Sequence, residues 1–122
     1  MPNKEPTYDI SELIAISRGN ESFVKKMVDI FCDQTPVLLK NMLEAYDAGD
    51  LQKMGEIAHK LKPSIDNLKI TSVTQKIREI EKRGTGDLGN SNLKEILYET
   101  EAVLTNVVSL LKKDYPANNA VQ

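Results

Sequence analysis

The chain has 122 residues, a formal net charge of -2 and 40% hydrophobic residues, with no tryptophan and two phenylalanines. That suits one compact domain with a core of Leu, Ile, Val and Met, and it excludes a protein whose main partner is nucleic acid or an anionic membrane, since both need a strong basic excess. One cysteine, Cys32, and one histidine, His59, cannot supply an internal disulfide or a metal cluster, and Cys32 reads as an inert helix residue.

Apolar residues recur at helical spacing throughout, and no segment alternates in the manner of a strand. Five helices are expected. The first, about Asp9 to Ser17, has Asp9 and Glu12 at capping-box spacing and Gly19 as its stop. The second starts from an Asn20 cap, carries Phe23, Met27, Ile30, Phe31, Leu38, Met42 and Tyr46 on one face, and should be kinked by Pro36. Gly49 ends it and Asp50 caps the third helix, where Leu51, Met54, Ala58, Leu61, Ile65 and Leu68 form a seam spaced by threes and fours. The fourth continues the pattern with Ile70, Val73, Ile77 and Ile80. Arg83 to Asn90, "RGTGDLGN", reads as a loop, and a long last helix runs from Leu93 through Ile96, Leu97, Val103, Leu104, Val107, Leu110 and Leu111. The fold class is therefore all-α, an antiparallel four-helix bundle with a short additional N-terminal helix. A single domain is expected over residues 1–122, with its core at about 9–113 and a frayed tail at 114–122. No apolar run approaches the ~20 residues of a membrane span, and "MPNKEPTYD" lacks the apolar stretch of a signal peptide, so a cytoplasmic location is expected. One bundle uses up the apolar residues, so a monomer is expected.

His59 lies roughly 130° from the apolar seam of the third helix when each residue advances about 100°, which places it on the outside. Gly55, one turn before, and Pro63, one turn after, flank it on the exposed face, while Lys62 and Asp66 lie nearer the core. In a helix interior glycine costs about 1 kcal/mol and proline about 3 kcal/mol relative to alanine, and bundle packing requires neither. Their shared effect is to lower the steric walls beside the imidazole. Pro63 also lacks the N–H that the His59 carbonyl would accept from, so a bend is expected there. The expected result is a bare imidazole on a convex face, which suits a partner protein bringing its own active site.

A neutral imidazole is a good nucleophile toward a phosphoryl group, and Lys62 is a cation one turn away that can screen phosphoryl oxygens. Neither a Ser-His-Asp arrangement nor a glycine-rich nucleotide cradle is readable. His59 to Arg83 holds seven basic residues against three acidic ones, net +4 in an acidic protein, a contrast that fits an acidic partner or an ordinary solvated face. An ordinary surface histidine beside a solvated lysine stays open as the plainer reading.

"AHKLKPS", preceded by "FVKKMVDIF" and followed by "LKITSVTQKIREIEKRG", resembles the histidine-containing phosphotransfer (HPt) domain of bacterial phosphorelays, from about Asp9 to Lys113. The resemblance implies that His59 accepts a phosphoryl group from a receiver-domain aspartate and passes it to another receiver. It implies a phosphoryl-stabilising role for Lys62, a supporting role for Ser64 and a structural or orienting role for Glu81. The family usually has glycine where this chain has Pro63, which puts the local helix geometry in question. The partners implied are response-regulator receiver domains and a hybrid histidine kinase. No cofactor is implied, any Mg2+ being supplied by the receiver, and no autonomous kinase activity. A histidine-kinase phosphoacceptor module is the first competitor, but there an acidic residue follows the histidine and proline lies five positions on, where this chain has Lys60 and four positions, with no room for an ATP-binding domain. The second is a helical adapter that binds a signalling partner without phosphorylation.

Overall fold

Three helix starts are fixed by short polar side chains in the computed structural model, which describes residues 8–86 and 92–116. Asn20 accepts from the Phe23 amide at 3.1 Å, Asp50 from Lys53 at 3.1 Å and Asn92 from Glu95 at 3.2 Å, each satisfying a donor that the first helical turn leaves without a partner. These caps open α2 (Glu21–Asp47), α3 (Leu51–Asn67) and α5 (Leu93–Asp114). A short α1 (Ser11–Ser17) precedes them, and α4 (Thr74–Gly84) follows a 3-10 turn at Thr71–Val73. The described residues contain no strand, and the protein is all-α.

Helix α1 starts two residues later than expected and without a capping box. Asp9 instead accepts from the Ser11 amide at 2.8 Å, and the position before the helix is Ile10, which has no side-chain cap. Gly19 does end the helix, at a φ of 81°, together with a left-handed Arg18. The α2 stripe also differs. Phe23 and Ile30 are each 38% exposed, while Val24, Val28, Cys32, Thr35, Leu39 and Ala45 join Phe31 and Met42 in the core. The helix contacts α1, α3 and α5, so its buried arc is broad and the large residues at its margins stay half exposed. It runs unbroken past Pro36, which faces solvent.

Cys32 is buried, its thiol lies 3.9 Å from the Val108 carbonyl, and burial pushes its pKa up, so it holds little of the reactive thiolate. The core is continuous, with Met42, Met54, Leu61, Ile65, Ile77, Leu97 and Leu104 among its fully buried members. Each such side chain stabilises the fold by about 1.5–3 kcal/mol relative to leaving it in water. Ile70, Val73, Ile77 and Ile80 are all buried, but the α-helix they were assigned to begins only at Thr74, because Lys69 turns the chain with a left-handed φ of 50°. At its other end α4 includes Gly84, which the sequence had placed in a loop; residues 87–91 of that loop lie outside the described residues.

Helix α2 packs on α3 and α5, and α4 packs on α3 and α5, with α3 against α4 the most extensive contact. The two ends of the chain meet across this assembly. The Tyr8 hydroxyl donates to the Asp114 carboxylate, the Asp9 amide donates to the Leu68 carbonyl at 2.7 Å, and Tyr115 packs against the core. Helix α5 thus reaches Asp114, the first residue of the stretch read as a tail, while residues 117–122 lie outside the described residues. No helix among the described residues is long and apolar enough to cross a membrane.

Candidate functional site

Gly55 decides how closely α3 and α4 approach. It is buried, not exposed beside the imidazole as expected. A Cβ at Gly55 would lie 2.8 Å from the Gly84 Cα, and one at Gly84 would lie 2.6 Å from the Gly55 Cα and 2.9 Å from the Leu51 carbonyl oxygen. Carbon atoms rest at 3.5–4.0 Å, so the two backbones touch only because both residues lack side chains. Gly55 therefore serves helix packing, and it also lines the open depression that His59 borders. The sequence reading missed Gly84, although Val73, Ile77, Ile80 and Gly84 continue one spacing of four, three and four along the buried face.

This close crossing brings Glu81 of α4 to the exposed edge of α3. Its Oε2 lies 2.5 Å from Nδ1 of His59, and its Oε1 accepts from Nζ of Lys62 at 2.8 Å. The His59 side chain is 68% exposed, against 26% for Glu81. The hydrogen bond from Lys62, and after it the one with His59, holds the Glu81 carboxyl below the usual carboxylate range. An ionised carboxylate can only accept, so the proton of this contact sits on Nδ1 of His59, which in the neutral tautomer leaves the lone pair on Nε2. Lys62 is less independent than its position suggested, since Glu81 already engages its ammonium.

Pro63 is exposed on α3, as expected, but the helix continues through it to Asn67 without interruption. Ser64 is half-buried and its carbonyl accepts from Leu68 at 2.9 Å. Asp66 lies apart from the His59 cluster and pairs with Arg78 of α4 at 3.8 Å. The convex face expected around the histidine is instead an open depression between α3 and α4, lined by His59, Glu81, Gly55, Gly84, Glu56 and Lys60 among others. Much of the basic excess of this region is met locally: besides Lys62 and Arg78, Lys76 pairs with Glu99 at 3.7 Å and Arg83 with Glu79 at 2.9 Å. That weakens the argument for an acidic partner from charge count alone.

A protein-family model for the Hpt domain matches residues 26–111. No curated protein and no solved structure gives a significant match. The matched span takes in most of the chain, including His59, Lys62, Glu81 and both glycines of the crossing, and the chain belongs to the Hpt domain family, whose members take part in phosphorelay signalling.

Proposed function

We propose that the protein is a phosphorelay intermediate that takes a phosphoryl group onto Nε2 of His59 from the aspartyl phosphate of one receiver domain and gives it to the aspartate of another. The observation that carries this reading is the exposed imidazole whose Nδ1 is engaged by an ionised Glu81. In the forward step the Nε2 lone pair forms the N–P bond as the P–O bond to the receiver's carboxylate breaks, and that carboxylate leaves with the bonding electrons. The ring becomes cationic while Nδ1 keeps its proton, and Glu81 stabilises that charge. Lys62, held at the same carboxylate, faces the incoming phosphoryl oxygens with a positive charge.

The depression beside His59 is the proposed receiver-docking surface, and Pro63, like the glycine it replaces, keeps a long side chain away from it. Ser64 supports the same turn, whereas Asp66 acts through α3–α4 pairing with Arg78. Helices α2 to α5 make up an antiparallel four-helix bundle in this reading, in a single-domain, monomeric, cytoplasmic carrier. It has no kinase activity or cofactor of its own, any Mg2+ arriving with the receiver.

The test is incubation with a receiver domain radiolabelled at its aspartate. Transfer of acid-labile, alkali-stable label to this protein is the expected result. A helical adapter would bind the receiver without acquiring label.

A further inference from the structure

We infer that Gly84 is a positioning residue for the His59 site, acting through Glu81, an inference that rests on the phosphotransfer reading above. Gly84 lies one helical turn beyond Glu81 on α4, so the depth to which α4 seats on α3 at Gly84 sets the position from which the carboxylate reaches across. The three atoms nearest a Cβ at Gly84 are all backbone, at 2.6 Å for the Gly55 Cα, 2.9 Å for the Leu51 oxygen and 3.1 Å for the Gly55 nitrogen. None of these atoms is the end of a side chain that could swing aside, so the helices themselves must part, by about 1 Å to restore carbon contact distances.

Glu81 has little slack to absorb this. Both of its oxygens are committed, at 2.5 Å and 2.8 Å, to partners on the one opposing helix, and a separation of about 1 Å takes such contacts to or past the limit of a hydrogen bond. The depression beside His59 is lined by both glycines, so the same parting alters the surface the receiver meets. Gly55 faces the same contact from the other side, with clearances of 2.8 Å to the Gly84 Cα and 3.1 Å to the Glu81 carbonyl oxygen, so Gly55→Ala should give the same defect in a milder form.

The experiment is imidazole 15N NMR of Gly84→Ala and Gly55→Ala, with circular dichroism to confirm folding, followed by transfer rates from a phosphorylated receiver. Folded Gly84→Ala is expected to lose the Nδ1–H tautomer signature of His59 and to slow transfer about tenfold, with no further loss when Glu81→Gln is added. A folded glycine variant with an unchanged imidazole signature overturns the inference, as does additive slowing in the double variant. Should Gly84→Ala not fold, Gly55→Ala decides on the same signature, and failure of both to fold makes the contact a condition of folding and also overturns it. The NMR signature requires no transfer, so a wild-type protein that shows it but accepts no phosphoryl group counts against the proposed function alone.

Discussion

Glu81 Oε2 lies 2.5 Å from Nδ1 of His59 across twenty-two residues of sequence, and this one contact assigns opposite roles to the two ring nitrogens. Nδ1 carries the proton, and Nε2 of the neutral tautomer holds the lone pair proposed above as the nucleophile. Replacing Glu81 by glutamine keeps the size of the side chain but removes the charge that favours Nδ1–H. Glu81→Gln is expected to mix the two tautomers in the 15N spectrum and to slow phosphoryl acceptance about tenfold, while the melting temperature stays within a few degrees. Unchanged tautomer and rate would show that Glu81 is merely adjacent.

The depressed pKa of Glu81 has a consequence for stability. Because its folded value lies below its unfolded value, the stabilisation it brings is complete above the ordinary carboxylate range and is lost as pH falls through the folded value. The group is partly exposed, so the effect should be below about 1 kcal/mol. Urea unfolding of the wild type and Glu81→Gln across pH should therefore show a difference near neutrality that closes in acid. A gap that stays constant into acid would mean that the carboxylate charge contributes nothing.

Much of this arrangement was legible in the sequence, for identifiable reasons. Asn20 and Asp50 are local capping signals, and each makes the expected bond. The outward placement of His59 follows from the strong seam of α3, whose members Met54, Ala58, Leu61 and Ile65 are all buried. What could not be read were distances between helices. Gly55 looked like a bare spot on an open face because its neighbour, Gly84, is twenty-nine positions away and resembled the start of a loop. The α2 stripe went astray because residue size is a poor guide on a helix with three neighbours, where Val24, Thr35 and Ala45 lie deeper than Phe23 and Ile30.

Pro63 sits inside α3 without interrupting it, so its cost is the missing N–H opposite the His59 carbonyl and the local crowding of its ring. Pro63→Ala is expected to raise unfolding free energy by about 1–3 kcal/mol and to leave transfer nearly intact, whereas Pro63→Gln should hinder receiver docking. Chemical unfolding and transfer kinetics check both. Loss of stability in the alanine variant would mean that the proline geometry is itself required.

Thr100 lies fully buried in α5 with no partner for its hydroxyl among the described residues. Valine has the same shape without the polar atom, so Thr100→Val should stabilise the fold by about 1 kcal/mol. Destabilisation in urea would reveal a hydrogen bond from that hydroxyl.

The proposed carrier role comes down to one atom, Nε2 of His59, and combined 31P and 15N NMR of the protein after exposure to a phosphorylated receiver reads it directly. The account predicts phosphorus bonded to Nε2 of His59 with the proton retained on Nδ1, and no phosphorus on folded His59→Gln, whose melting should match the wild type because the ring is exposed. Phosphorus on Nδ1, phosphorus on a residue other than His59, or no transfer from a receiver that remains phosphorylated would contradict it.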